Sequence, residues 1–143
     1  MSVSIDGDTV VVGANGEDTG GATAGAAYVF TRSGTTWTQQ QKIQASDAQA
    51  NTNFGYSVAI DGDTVIIGAQ LEDTGGINAG AAYIFTRSGT TWTQQAKIIS
   101  SDLQAGDEFG ISVSISGDTI VVGAWFEDTG GSNAGAAYIF VAG

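Results

Sequence analysis

Short apolar runs separated by Gly, Asp, Asn, Ser and Thr set the pattern of this chain. In its middle third the runs are Val58-Ala59-Ile60, Val65-Ile66-Ile67 and Ala81-Ala82-Tyr83-Ile84-Phe85. Runs of that length, bounded by turn formers, predict β-strands. Four are expected in this stretch. The first covers 57–60, and Asp61-Gly62 follows it as the two-residue signal of a type I′ hairpin. The second covers 64–69. A loop over 70–80 leads to the third, over 81–86. Ser88-Gly89-Thr90 turns into the fourth, over 92–98, and a linker over 100–110 leads onward. The second and third strands are apolar on both faces, whereas a sheet with one wet face would alternate. They predict sheets stacked on both sides. The fourth strand does alternate: Trp92, Gln94, Ala96 and Ile98 fall on one face, and Thr93, Gln95 and Lys97 on the other. It is expected to be the more exposed strand, towards a rim.

The same pattern recurs. Ser2-Val3-Ser4-Ile5-Asp6-Gly7-Asp8-Thr9 returns at Ser57 and again at Ser112, with an offset of 55 residues each time. The first two units match at about 70% of positions, so the period is not an accident of composition. The units are 2–56, 57–111 and a partial 112–143, read as one repeat domain. A β-solenoid is the competing architecture. Four short strands and two hairpins per unit favour an all-β propeller, with about three blades in the chain and the last one incomplete. In an up-and-down blade the Asp-Gly and Ser-Gly-Thr turns share one end, and the longer loops and linkers share the other. The second end collects most of the acid.

Phe54-Gly55, then the strand at 57–60, then Gly68-Ala69 form an FG…GA order. Phe109-Gly110 and Gly123-Ala124 repeat it. The first unit has Gly13-Ala14 but no Phe-Gly ahead of Ser2. On these residues the whole chain resembles the FG-GAP (integrin α-like) repeat family. Its Gly-Ala-Ala-Tyr-(Val/Ile)-Phe and Ser-Gly-Thr-Thr-Trp stretches are most similar to the bacterial extracellular versions. The resemblance implies a β-propeller, a secreted or cell-surface location, and adhesion or interaction rather than catalysis. Two departures stand out. Asn15, Gln70 or Trp125 occupies the place of the family's proline after Gly-Ala. The place of the family's calcium loop holds only Asp6-Gly7-Asp8, Asp61-Gly62-Asp63 or Ser116-Gly117-Asp118. Calcium takes six to eight oxygens, which a two-residue hairpin cannot supply. The family's calcium site is therefore not carried over to these positions.

Composition then narrows the chemistry. The formal charge is −11, with only four basic residues, Arg32, Lys42, Arg87 and Lys97. A phosphate-tracking stripe cannot be built from four cations, so no nucleic-acid partner is expected. No apolar run is long enough to insert in a membrane as a helix. With no His and no Cys, Ser-His-Asp triads, imidazole acid–base catalysis and thiolate metal sites all fall away.

Glu-Asp-Thr-Gly-Gly at 17–21, 72–76 and 127–131 admits two readings. Its oxygens offer a hard cation such as calcium a site at Glu17, Asp18, Glu72, Asp73, Glu127 and Asp128. Alternatively the Asp and Thr close turns around flexible glycines, and recurrence in every unit favours this scaffold role. Carboxylate pairs also serve glycosidases, but an active site breaks the symmetry of a repeat and these pairs do not. No catalytic residue is expected.

Trp125-Phe126 does break the symmetry, replacing Asn15-Gly16 and Gln70-Leu71. With Glu72, Asp73, Glu127 and Asp128 it marks the expected contact surface for a protein or glycan. Three blades do not close a ring, so apolar faces are left open. The expected partners are the rest of a longer propeller or other copies of the chain, as a homodimer closing a six-bladed ring or a head-to-tail filament. The leading functional expectation is an extracellular adhesion scaffold, and the alternative is a self-assembling structural subunit.

Overall fold

A computed structural model describes residues 1–142; Gly143, the last residue of the third unit, lies outside the described residues. These fold into three antiparallel meander sheets. The first joins β1 (Ser2–Asp6), β2 (Thr9–Ala14), β3 (Ala26–Ser33) and β4 (Thr36–Ile43) in that order. The second repeats it with β5 (Ser57–Asp61), β6 (Thr64–Ala69), β7 (Ala81–Ser88) and β8 (Thr91–Ile98). The third has β9 (Phe109–Ser116), β10 (Thr119–Ala124) and β11 (Ala136–Val141), and no fourth strand among the described residues. The architecture is three propeller-type blades in an incomplete ring, as the strand pattern predicts.

Two local expectations are corrected. Asp61 pairs with Thr64, so the tight turn is Gly62-Asp63 rather than Asp61-Gly62. Its positive φ falls on Gly62 alone. A type I′ turn needs positive φ at both central residues; one at the first position is the sign pattern of type II′. The second correction concerns the fourth strand. Phe85 pairs with Gln94 but Ile84 pairs with Ala96, so Gln95 is an extra, bulged residue. Gln40 is bulged in the same way in β4. An inserted residue reverses the alternation beyond it. Lys97 therefore lies across from Tyr83 and Trp92 across from Arg87, both on the face turned to the first blade, not on opposite faces.

Each blade has two unlike faces. The tyrosine face of the second blade presents Val58, Ile60, Val65, Ile67, Tyr83 and Phe85, and it packs on Val11, Ala27 and Val29 of the first. Its other, alanine face presents Ile66, Ala82 and Ile84 to Ile120, Val122, Tyr138 and Phe140 of the third. Both surfaces of β6 and β7 are consequently dry, as the lack of alternation predicts. In the end blades only the inward faces are. Val3 is 70% exposed on the tyrosine face of the first blade, and Ile139 is 72% exposed on the alanine face of the third.

A Phe-Gly pair locks each junction. Phe54 and Phe109 are buried. Phe54 stands edge-on to Tyr83 at 5.2 Å, and Phe109 to Tyr138 at 5.4 Å. Gly55 and Gly110 have φ of 88° and 92°, which a side chain resists. Their carbonyl oxygens accept from the Ser2 and Ser57 hydroxyls at 3.0 and 2.7 Å. A second clasp sits at the hairpin end. Asp6 accepts the Gly62 N–H at 2.7 Å, and Asp61 accepts the Gly117 N–H at 2.6 Å.

Candidate functional site

The acidic loops lie at the end opposite these hairpins. In each Glu-Asp-Thr-Gly-Gly segment the glutamate turns inward. Glu72 accepts the Thr74 N–H at 2.9 Å and its hydroxyl at 2.7 Å. Glu17 and Glu127 accept the N–H and hydroxyl of Thr19 and Thr129 in the same way. The aspartates do something else. Asp18, Asp73 and Asp128 accept the N–H of Thr23, Asn78 and Asn133 at 2.7, 2.8 and 2.5 Å. Those three donors have φ of 50°, 56° and 55°, so the carboxylate holds a left-handed turn in place. The two carboxylates of a pair thus serve different parts of one loop. Among the described residues no three His, Cys, Asp or Glu side chains gather as a metal cage would require.

The inward glutamate has a second task, made possible by the bulge. Lys97, carried to the tyrosine face, places Nζ 2.8 Å from Glu72 Oε1, 2.7 Å from Thr74 Oγ1 and 2.6 Å from Asp47 Oδ2. It also lies 5.6 Å from the centre of the Tyr83 ring. Tyr83 donates its hydroxyl to Asp47 at 2.9 Å. Lys42 repeats the arrangement with Glu17, Thr19 and Tyr28. Both lysines are paired with acids rather than solvated, and at the second blade the pair is buried: Lys97 and Glu72 are 19% and 6% exposed at their side chains.

Proton affinities follow from that geometry. The hydrogen bonds from Lys42 and Thr19 hold the Glu17 carboxyl down at about 2. Burial raises the Asp47 carboxyl, but the hydrogen bonds from Lys97 and Tyr83 outweigh it, and the net shift is downward. Burial lowers the Lys97 ammonium, and the hydrogen bonds to Asp47 and Glu72 reverse the sign. Burial, helped by the Asp47 charge, pushes the Tyr83 phenol up.

The third blade departs from this pattern. Glu127 is 4% exposed and Thr129 donates to it, but no lysine among the described residues reaches it. Asp102, at the position of Asp47, accepts the Ser100 hydroxyl. Tyr138, at the position of Tyr83, has its buried hydroxyl without a hydrogen-bond partner. Above this end, Trp125 is 60% exposed and stacks on Phe126 with ring centres 5.4 Å apart and planes within 2°. Trp125 lines a groove with Ile111, Gly123, Ala124 and Gly135. In the other blades Gly13 and Gly68 stand where Gly123 does, and the Phe-Gly of the following blade fills the groove against them.

The stacked blades, each junction closed by Phe-Gly on one side and Gly-Ala on the other, agree with a comparison against family models. The FG-GAP repeat model matches residues 1–30, 37–85 and 92–140. The chain belongs to the FG-GAP repeat family. Its second and third matches each begin at the fourth strand of one blade and end in the third strand of the next, so each FG-GAP match spans one junction. A comparison with curated proteins finds no match. FG-GAP repeats are found in extracellular interaction and adhesion proteins. No helix among the described residues is long and apolar enough to cross a membrane.

Two functional groups of this FG-GAP chain escaped the sequence reading. Asp6 and Asp61 look like turn residues, and their role as acceptors across a junction depends on how closely two blades nest. Their only signal is a carboxylate ahead of Gly in two units and Ser116 in the third. The lysine cradle escaped because strict alternation places Lys97 on the wrong face; the bulge that turns it has no composition cue.

Proposed function

We propose that this chain is a non-catalytic extracellular interaction scaffold that works by blade-to-blade association. The observation that carries this reading is the complementarity of its two open faces. The exposed tyrosine face of the first blade repeats the surface that the second and third blades bury. The exposed alanine face of the third repeats the surface they are buried against. A contact of this kind is heterologous, so it joins copies head to tail, into a ring where the rotation closes and a filament where it does not. The recurrent carboxylates support a scaffold role, because each is spent on its own loop or on a lysine.

Sedimentation across a concentration series tests the proposal. The expected result is a mass that grows with concentration, and a monomer at all concentrations for Ile139→Lys. Ile139 faces solvent within the single chain, so its replacement leaves the melting temperature of the dilute monomer unchanged. Monomer throughout, or association indifferent to Ile139→Lys, refutes the reading.

The stacked Trp125-Phe126 pair favours a second reading, in which the acidic loop end meets a protein or glycan through Trp125, Asp73 and Asp128; Glu72 and Glu127, expected on that surface, are each 4% exposed and lie beneath it. Flat exposed aromatics suit such surfaces.

A further inference from the structure

Three features set the third blade apart, and one element, a fourth strand, would account for all of them. The outer edge of β11 is unpaired, whereas β3 and β7 carry β4 and β8 there. The Glu127–Thr129 cradle, with Asp102 beside it and the Tyr138 hydroxyl unpartnered, holds no ammonium. A glutamate and a threonine grip Lys42 and Lys97 in the other two blades, with Asp47 added at Lys97. Between the second and third blades lies a cavity of about 460 Å³ lined by Thr64, Ile84, Gln95, Ala96, Asp118 and Val141. One junction earlier, Trp92 occupies this position. It is 3% exposed and donates Nε1 to Gln40 Oε1 at 2.9 Å, and Gln40 is the counterpart of Gln95.

We propose that β11, the cavity and the Glu127 cradle form an acceptor site for one extended segment with the pattern of β4 and β8, a tryptophan followed five residues later by a lysine. The register is set by the other blades. β7 pairs Arg87 with Trp92 and Tyr83 with Lys97. An antiparallel strand on β11 accordingly carries its lysine across from Tyr138, into reach of Glu127, Thr129 and Asp102. Five residues rather than four separate the aromatic from the cation because the strand must bulge to send both to one face. Main-chain hydrogen bonds to β11 supply affinity, as in other strand additions, and the two side chains supply selectivity. A lysine that exchanges water for a buried carboxylate and a hydroxyl is held by charge-assisted bonds. A segment with a neutral residue there leaves Glu127 buried without a cation.

A peptide with the sequence of residues 89–98, carrying a dye at its N-terminus, tests this by fluorescence anisotropy against the 143-residue chain. Saturable one-to-one binding is expected, at least tenfold weaker for the Lys97→Gln and Trp92→Ala peptides. Glu127→Gln in the protein should weaken the native peptide while leaving the Lys97→Gln peptide unaffected, the mark of direct coupling. Because Glu127 also closes its own loop, Asp102→Asn serves as a second protein variant with the same expected direction. The peptide variants leave the protein untouched and keep the comparison free of folding effects. Absence of saturable binding overturns the proposal. So does equal affinity for the lysine and glutamine peptides. Binding that Ile139→Lys removes but that ignores the lysine places the peptide on the open face and also overturns it.

Discussion

Gly68→Ala probes the junction on which the architecture rests. Gly68 lies inside β6, where glycine ordinarily weakens a strand and marks a close backbone approach. A Cβ built on it falls within the van der Waals envelope of the Gly110 carbonyl oxygen and the Ser57 hydroxyl, and 3.0 Å from the Gly110 carbonyl carbon. To restore ordinary separations of about 3.5 Å, the Phe109-Gly110 segment must withdraw by roughly 1.5 Å. Withdrawal strains the junction, at about 1–3 kcal/mol for overpacking. It breaks the Ser57–Gly110 hydrogen bond, worth about 1 kcal/mol. The intrinsic preference of alanine over glycine returns about 0.5–1 kcal/mol. The net loss is about 1–3.5 kcal/mol, a substantial part of a typical domain's 5–15 kcal/mol or so. In a chain of this size it lowers the melting temperature by about 10 °C. Gly123→Ala is the matched control. It occupies the same place in the third blade, but its Cβ meets the rotatable Ser112 hydroxyl at 2.5 Å and nothing else within 3.7 Å. Differential scanning calorimetry of the two variants should show a large loss for Gly68→Ala and little change for Gly123→Ala. Equal shifts refute the junction as described.

Two further outcomes concern the lysine cradles. Lys97→Met keeps the stem and removes the ammonium, leaving Glu72 and Asp47 near one another without a cation. Discounted for partial exposure, the expected loss is about 2 kcal/mol by urea denaturation, with a smaller loss for Lys42→Met; a larger effect at Lys42 contradicts the burial order. The acid limb of stability tests the same pairs. Glu17 titrates at about 2 in the folded chain against an ordinary 4.5, and Asp47 is also lowered. Folded carboxyls with depressed values stabilise above their unfolded values and lose that contribution as pH falls through the folded ones. The melting temperature is expected to stay level down to about pH 5 and to decline between about pH 4.5 and 2. Lys42→Gln should shallow the decline, and an unchanged slope would remove the pairing of Glu17 with Lys42.

Much of the fold was legible because its signals are local and repeated. Val65-Ile66-Ile67 and Ala81-Ala82-Tyr83-Ile84-Phe85 announce strands dry on both sides, and the 55-residue period announces identical units. The Phe-Gly pairs at Phe54 and Phe109, which recur in phase, were readable as the mark of the repeat family. The side-chain chemistry was less legible. Period-2 reasoning sets Lys97 opposite Trp92, and a single bulged glutamine overturns it. The Glu-Asp pairs show only that oxygens are available; whether they face one another or part depends on the loop backbone, where Asn78 takes a left-handed turn. The junction clasp at Asp61 depends on distances between sheets, which no one-dimensional pattern records.

The near identity of the junctions has a kinetic consequence. A nascent second blade meets a surface on its own chain and an almost indistinguishable one on every neighbouring molecule. Proximity alone decides between them. The linkers over 44–56 and 99–108 hold the correct partner at an effective concentration of millimolar order. In dilute refolding the tether wins and the blades line up in chain order. Where many copies emerge together, blades exchange between chains, a characteristic error of tandem arrays. The yield of correctly ordered material should therefore depend on how crowded the molecules are while they fold.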